Sequence, residues 1–197
     1  QEMGMHVGAG RIGQVNAGIC VQVLVDRFGV RHVINTGVAG SLDDRLDVGD
    51  LVVSTDCVWH DFDVTPLGYR PGEIPGVGTI NFPADEGLRE ATLAAAAQVA
   101  PDIHAYAGRV VSGDQFIASA EQKNRITEGF GGMCCEMEGT AIAQAAWLNE
   151  VPFVVVRAIS DKPGAADQVV DYNTFEEKAA RDCAAIVAHM VANPLRA

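Results

Sequence analysis

The sequence predicts an α/β fold, in which helices pack on a largely parallel sheet. Segments with helical periodicity alternate along the chain with short apolar segments of strand length, and this alternation is typical of such folds. The chain has 197 residues, enough to bury the core of one domain, and it shows no linker, repeat or low-complexity segment. We therefore expect residues 1–197 to form a single domain.

The first half of the chain predicts three strands, one helix and a long loop. Residues 3–7 and 30–35 are short apolar segments, and the second is followed by a glycine-rich stretch. Residues Gln14–Phe28 are apolar almost all round, which predicts a well-buried helix. A third strand is expected at 50–58. Residues 66–83 are rich in Gly and Pro and predict a long loop, which in a compact domain is usually functional or interfacial.

Capping residues mark the start of several helices in the second half. Asp85 is expected to cap a helix that runs to about residue 99. Ser119 with Gln122, and Thr174 with Glu177, have the spacing of capping boxes. The last helix should bury a stripe made of Phe175, Ala179, Cys183, Ile186 and Met190.

Two further strands, at 107–112 and 151–159, and an Ala-rich helix at 137–149 complete the alternation. Asp161 follows the second of these strands, and Glu138 lies at the start of the helix. Ligands of open α/β sheets bind at the carboxyl ends of strands, where a carboxyl group half out of water can act as a general acid. Each acid also has a simpler explanation: Asp161 as a turn residue, and Glu138 as an acid favoured by the helix dipole.

Composition and charge exclude several classes of protein. The net charge of −12 and a pI near 4.7 argue against nucleic acid or an anionic membrane as the main partner. No apolar run approaches the roughly 18 residues of a membrane span, and no secretion signal is visible. The five cysteines show no CxxC spacing, and most lie in or beside apolar segments. We therefore expect free thiols in a reducing, cytoplasmic compartment.

One cluster resembles a set of metal ligands, namely His60, Asp61 and Asp63. A metal site needs further ligands to complete its coordination shell, and no second cluster supplies them. We expect neither a metal nor another cofactor.

Residues 8–13, with the sequence GAGRIG, match the GxGxxG pattern that binds dinucleotides at a helix N-terminus. That fingerprint also requires an acid about 20 residues further on, at the end of the next strand. Residues 34–36 contain no acid, and Asp26 lies inside the predicted helix. Close approach of the main chain to a smaller ligand explains the glycines as well, and we prefer that interpretation.

Taken together, the segments at strand ends fit a nucleoside. Two glycine-rich loops offer main-chain amides, and residues 112–117 offer an aromatic ring that can stack on a flat base. Glu136 and Glu138 offer carboxylates that can accept both hydrogens of a vicinal diol, and Asp161 offers a proton. A flat base, a diol and a proton donor describe a nucleoside whose glycosidic bond is to be cut.

Six colinear stretches resemble the 5′-methylthioadenosine/S-adenosylhomocysteine nucleosidases, within the nucleoside phosphorylase superfamily. The resemblance extends over residues 5–190. The stretches are INTGVAGSL at 34–42, VGDLVVS at 48–54, HDFDVT at 60–65, VSGDQFI at 111–117, EME at 136–138 and VVVRAISD at 154–161.

The resemblance implies a three-layer α/β/α fold with a central mixed sheet, of the phosphorylase/hydrolase kind. It also implies hydrolysis of the N-glycosidic bond of the two thio-nucleosides, with release of adenine. Asp161 would protonate the adenine ring nitrogen and Ser160 would help to orient it. Phe116 would stack on adenine, and the main chain of Ile117 would read its edge.

For the sugar, the resemblance implies that Glu138 binds the ribose hydroxyls, beside Met137, which packs on the sugar. Gly40 would lie against the substrate through its main chain. The long loop would reach into the site of a partner subunit in a homodimer and cover the 5′-thio group, through Leu67, Tyr69 and Pro75.

The chain departs from the family pattern in two ways. Relatives begin with further strands, and the carboxylate that activates the attacking water follows the first of them. No residue here aligns with it, since Glu2 lies in the wrong strand. Val38 stands where many relatives carry Ser, which favours a hydrolase over a phosphorylase. The alternatives are a futalosine hydrolase, a purine nucleoside phosphorylase, or a nucleoside-binding domain without catalytic activity.

Overall fold

The computed structural model describes residues 5–193, without the side chains of residues 170–174 and 176. Within this range six strands form one mixed sheet. They are β1 Val33–Ser41, β2 Leu51–Trp59, β3 Asn81–Pro83, β4 Ala105–Ser112, β5 Cys134–Glu136 and β6 Phe153–Asp161.

The sheet closes on itself. Its strands follow the order β3-β2-β4-β5-β1-β6, and β2 pairs with β6 as well as with β3 and β4. Strand β1 is parallel to β6, and β2, β4 and β5 are parallel to one another. The two groups run in opposite directions, since β5 is antiparallel to β1 and β2 is antiparallel to β6. The mixed sheet implied by the family resemblance is therefore confirmed.

Helices cover the sheet on two sides. They are α1 Gln14–Phe28, α2 Glu86–Val99, α3 Ala120–Phe130, α4 Gly139–Leu148 and α5 Gln168–Ala192. Helices α1 and α4 pack on one side, where their small residues join the core of the sheet. Helices α2 and α5 pack on the other side. This is the three-layer arrangement.

Local sequence explains where these helices begin and end. The Asp85 carboxylate accepts a hydrogen bond of 2.8 Å from the amide of Leu88, and so caps α2 as predicted. The Ser119 hydroxyl accepts one of 3.2 Å from the amide of Gln122 at the start of α3. Helix α3 ends at Gly131, whose φ of 64° lies in the left-handed region that favours glycine.

Four predicted elements differ from the structure. The predicted loop 66–83 ends in strand β3, which pairs with β2. Residues 5–7 form no strand, and the rest of the segment 3–7 lies outside the described residues. Strand β1 continues through the glycine-rich stretch to Ser41, because that stretch pairs with β6. Helix α5 begins at Gln168, so Thr174 lies inside it and not at its start. The apolar stripe of α5 is confirmed for Ala179, Cys183, Ile186 and Met190, which are buried, while Phe175 is half-buried.

The expectation that α1 is buried all round is wrong. Ala17 and Val21 pack into the core, but the side chains of Val15, Ile19 and Val23 are 73%, 58% and 45% exposed. Helix α1 belongs to an outer layer and rests mainly on α4, so one face meets protein and the other does not. Its bounds are as predicted.

None of the helices described in residues 5–193 combines the length and apolar character needed to cross a membrane. The five cysteines all lie in that range and are free thiols, as expected.

Candidate active site

The ends of three adjacent strands meet at one place in the sheet. Gly40 on β1 lies opposite Cys135 on β5 and opposite Asp161 on β6, after a bulge at Ala39 and Gly40. Cys135 and Asp161 are therefore two strand spacings apart, which is on the order of 10 Å. Helix α4 begins shortly after Cys135, so the Glu138 segment follows directly from the strand that lies beside β1.

Gly40 is needed where β1 passes Asp161. A Cβ atom at residue 40 would lie 3.2 Å from Oδ2 of Asp161 and 3.0 Å from Cγ of Pro163. Those contacts are tighter than ordinary van der Waals distance, so a side chain here would push the carboxylate aside. The structure thus places Gly40 directly against the candidate acid.

Asp161 is the last residue of β6 and is only 2% exposed, so the expectation of a half-exposed turn residue is wrong. The Ser160 hydroxyl donates to Oδ1 at 2.7 Å. The carboxamide of Gln168 donates from Nε2 to Oδ2 at 2.8 Å. Neighbouring side chains therefore hold both carboxylate oxygens, and Ser160 has the orienting position that was expected of it.

Glu136 is engaged inside the protein. Its carboxylate forms a buried ion pair with Arg157, whose Nε and Nη2 both donate to Oε2. The same Oε2 accepts from the amides of Glu138 and Gly139 at 3.1 and 2.7 Å, and Oε1 accepts from the Ser112 hydroxyl. Because this carboxylate is buried and paired with a buried cation, we interpret its role as holding the strand ends together, whereas the diol contact stays a prediction for the half-buried Glu138.

Glu138 lies at the N-cap of α4 and is half-buried. Its Oε1 accepts a hydrogen bond of 2.8 Å from the amide of Gly13, the last glycine of the GxGxxG pattern. Burial raises the pKa of the Glu138 carboxyl, and the amide of Gly13 opposes that shift. The glycine-rich loop therefore contacts the carboxylate expected to bind ribose, in keeping with close approach of its main chain.

The expected base-binding residues follow β4. Ile117 is buried, and its carbonyl oxygen accepts a hydrogen bond of 2.7 Å from Nε2 of Gln168. Phe116 is about half exposed, so its ring has a face accessible from outside the core. Met137 is half-buried between Glu136 and Glu138. Gln168 thus links the expected base-binding segment to the expected acid.

The long loop presents its three named residues to solvent. Leu67, at the end of a 3-10 helix over Thr65–Leu67, is largely exposed. Tyr69 and Pro75 are also exposed. Such exposure is what a role in a partner subunit's site requires, and it leaves that role a prediction.

His60 adjoins the site without a hydrogen-bonding partner for its ring. It is buried, and both ring nitrogens lack a partner. Burial lowers the pKa of His60, although the nearby Asp61 carboxylate acts in the opposite direction. Within residues 5–193, no group of three or more His, Cys, Asp or Glu side chains is arranged to hold a metal ion.

Sequence reasoning missed Gln168, Gly13 and the role of Arg157. Arg157 lies within the stretch VVVRAISD. A cation in a buried apolar strand is itself a signal, because it needs an anionic partner. Gln168 lies only seven residues after Asp161, close enough to fold back on it. Gly13 could not be assigned from sequence, since its contact joins residues 125 positions apart.

Comparison with known proteins identifies the family. The model of the phosphorylase superfamily matches residues 4–192. The chain belongs to the phosphorylase superfamily. A 5′-methylthioadenosine/S-adenosylhomocysteine nucleosidase of Treponema pallidum is 41% identical over 193 residues, which cover 87% of this chain and 72% of that protein. Its counterpart in Staphylococcus aureus is 42% identical over 170 residues, with 86% and 73% covered.

Solved structures of this superfamily have the same fold. The Colwellia psychrerythraea 5′-methylthioadenosine/S-adenosylhomocysteine nucleosidase, in complex with adenine, has a TM-score of 0.86 and 36% identity, over 93% of this chain and 75% of that one. The futalosine hydrolase of Helicobacter pylori has a TM-score of 0.87 and 32% identity, over 93% and 77%. The resemblance to the nucleosidases drawn from the sequence is thus confirmed.

Proposed function

We propose that this chain hydrolyses the N-glycosidic bond of 5′-methylthioadenosine and S-adenosylhomocysteine and releases adenine. The observation that carries the proposal is the shared edge of β5, β1 and β6, where Gly40 lies opposite both Cys135 and Asp161. The proposal takes this junction to hold the proton donor and, through the segment that follows β5, the carboxylate that binds the diol. The identity with nucleosidases over most of the chain supports the same reaction.

Asp161 is assigned to the base. A purine is a poor leaving group until a ring nitrogen is protonated, so cleavage needs an acid at that end of the substrate. The Ser160 hydroxyl, 2.7 Å from Oδ1, keeps the carboxyl group oriented. The carbonyl of Ile117 would accept a hydrogen bond from the edge of adenine, and the exposed Phe116 ring would stack on its face.

Glu138 is assigned to the ribose, with Met137 packed on the sugar ring. Each carboxylate oxygen has two lone-pair sites, so the contact with Gly13 leaves acceptor positions for the two hydroxyl hydrogens. As the glycosidic bond breaks, the sugar gains positive charge, and a nearby carboxylate stabilises that charge. The proposal assigns no residue to activating the attacking water.

Asp161→Asn tests the assignment of the acid. We expect turnover to fall by about 10²–10⁴-fold, because the variant cannot donate the proton, while the circular-dichroism spectrum stays unchanged. Adenine release from methylthioadenosine is the measurement, and Asp44→Asn, an exposed acid that pairs with Lys123, is the control. Turnover near the wild-type rate would refute the assignment.

Glu138→Gln tests the diol contact. We expect the variant to lose affinity for methylthioadenosine far more than for adenine, since only the nucleoside carries the hydroxyls. Calorimetric titration of both ligands measures the two losses directly. An equal loss for both ligands would mean that the carboxylate is structural.

We further propose that the protein acts as a homodimer. The outer face of α1 exposes Val15, Ile19 and Val23 along one stripe, and such a stripe is costly to leave in water. The exposed Leu67 and Tyr69 of the long loop would then meet the partner's site. Ile19→Glu should shift the species measured by sedimentation from dimer to monomer. A monomeric wild-type protein would contradict the proposal.

A futalosine hydrolase is the second candidate, because the Helicobacter pylori enzyme of that name is as similar in structure as the nucleosidases. Competition between futalosine and methylthioadenosine as substrates separates the two. A phosphorylase would release adenine only with phosphate, and Val38 in place of a hydroxyl residue argues against that. Binding without turnover would identify a nucleoside-binding domain instead.

The five free thiols support a reducing compartment, and we propose the cytoplasm. Fractionation of the source cells with an antibody to the protein would test this, and recovery outside the cytoplasmic fraction would refute it.

A further inference from the structure

The side chain of Gln168 joins the two groups that the proposed function assigns to the base. Its Nε2 donates to the carbonyl oxygen of Ile117 at 2.7 Å and to Oδ2 of Asp161 at 2.8 Å. Its Oε1 accepts from the amide of Gly164 at 3.1 Å. Gln168 is buried, so water does not compete strongly for these bonds. One nitrogen thus uses both of its hydrogens on two acceptors from different parts of the chain.

The group that makes these contacts is chemically similar to one end of adenine. A carboxamide carries an –NH2 on a trigonal carbon, with two hydrogens that diverge in a plane. The 6-amino group of adenine has the same form, so it can reach the same two acceptors. A 6-oxopurine would instead place an oxygen acceptor against a carbonyl and a carboxylate. Two acceptors without a proton between them repel each other.

We propose that Gln168 is an internal competitor of the base, because its carboxamide occupies the two acceptors that a 6-aminopurine would use. Its carboxamide holds Ile117 and Asp161 in the positions that a 6-aminopurine takes over on binding. A base must therefore supply an –NH2 group to replace the one that Gln168 withdraws. This inference rests on the proposed function, because it takes the two acceptors as the base-binding groups.

The position of Gln168 in the chain allows its side chain to leave. It is the first residue of α5 and follows the segment 162–167, most of which is exposed. The hydrogen bond from its main-chain amide to the carbonyl of Ala165 is long, at 3.3 Å, so this bond restrains the start of the helix only weakly. Ser160 donates to the other oxygen of Asp161 and stays in place when Gln168 departs. The exchange alters one hydrogen bond of the acid and keeps the other.

A purely structural role predicts the opposite effect on affinity. If Gln168 only ties α5 to the sheet, then its removal loosens the site and weakens adenine binding. If it competes with the base, its removal abolishes the competing state and strengthens binding. The apparent dissociation constant of a ligand equals its intrinsic value divided by the fraction of the protein that is in the state able to bind it. Two hydrogen bonds of ordinary strength correspond to a change of about 5- to 100-fold.

Calorimetric titration of adenine and hypoxanthine into three proteins distinguishes these roles. The proteins are the full wild-type chain, Gln168→Leu, and the control Gln98→Leu, which alters an exposed glutamine of α2. We expect Gln168→Leu to bind adenine about 5- to 100-fold more tightly than wild type and Gln98→Leu to match wild type. In all three, hypoxanthine should bind more weakly than adenine. Unchanged or weaker adenine binding by Gln168→Leu overturns the inference.

A measurement on the wild-type protein covers the case in which Gln168→Leu does not fold. The side-chain amide of Gln168 can be followed by ¹⁵N NMR during titration with adenine. We expect these amide hydrogens to exchange slowly with water in the free protein and rapidly when adenine saturates the site, because adenine displaces the side chain of Gln168 into water. Slow exchange at saturating adenine overturns the inference about Gln168 but leaves the proposed function standing. If neither adenine nor methylthioadenosine binds the wild type or a folded Gln168→Leu, the proposed function fails with it.

Discussion

The ion pair between Glu136 and Arg157 allows the strongest prediction about stability. Both side chains are about 2% exposed, so each charge depends on the other. Glu136→Gln keeps the shape of the side chain but removes the negative charge, and Arg157 is then a buried cation without a counter-ion. Breaking a buried pair in this way costs about 3–5 kcal/mol. For a chain of this length, that corresponds to a fall in Tm of about 6–20 °C.

Urea denaturation at neutral pH, followed by tryptophan fluorescence, measures the free energy of unfolding. Asp44→Asn is the matched control: it breaks the Lys123 pair, but the Asp44 side chain is 95% exposed, so no measurable change is expected. A Glu136→Gln variant within about 1 kcal/mol of wild type would refute the reasoning, because the buried arginine would then need no carboxylate.

A double-mutant cycle separates the pair from its surroundings. Arg157→Met leaves Glu136 still held by the amides of Glu138 and Gly139, so we expect a smaller loss than for Glu136→Gln. Combining the two substitutions removes both charges. The double variant should be more stable than the sum of the single losses predicts, by about 1–3 kcal/mol. Additive losses would mean that the two charges do not interact.

Three further predictions concern Glu138, His60 and Gly37. Because burial raises the pKa of Glu138, its contribution to stability is present below its unfolded pKa of about 4.3 and is lost as pH rises through the raised value. Glu138→Gln should therefore be more stable than wild type at neutral pH, and denaturation at pH 4 should show the gain vanish. Burial lowers the pKa of His60 in the folded protein. As pH falls below about 6.5, His60 is therefore protonated in the unfolded chain before it is protonated in the folded protein, and this difference lowers the free energy of unfolding. His60→Phe should lose less stability between pH 7 and 5.5, and an equal loss would contradict this. A Cβ at residue 37 would collide with Nη1 of Arg157, so Gly37→Ala should cost about 1–3 kcal/mol in a urea titration, and an unchanged midpoint would show that Arg157 can move aside.

Features that depend on nearby residues in the sequence were predicted correctly. The bounds of α1, the caps at Asp85 and Ser119, and the buried stripe of α5 all follow from periodicity and capping residues. The strand that ends at Asp161 was also placed, because an apolar run followed by an acid is a local signal. The family resemblance added the roles of residues whose side chains carry no such signal.

The burial of individual side chains could not be read in this way. Helix α1 is apolar all round, and only its packing on α4 shows which face meets protein. Asp161 resembled an exposed turn residue, but the pairing of β1 with β6 extends to it and buries it. Periodicity describes a segment, whereas burial depends on what other segments place against it.

The amino-acid sequence by itself determined the alternation of helices and strands and the presence of two acids at strand ends. Only the tertiary structure decided what those acids touch. Glu136 and Glu138 stand two residues apart, yet one pairs with a buried arginine and the other accepts from Gly13. The reason is that such contacts join residues far apart in the chain, and closure of the sheet selects which of them meet.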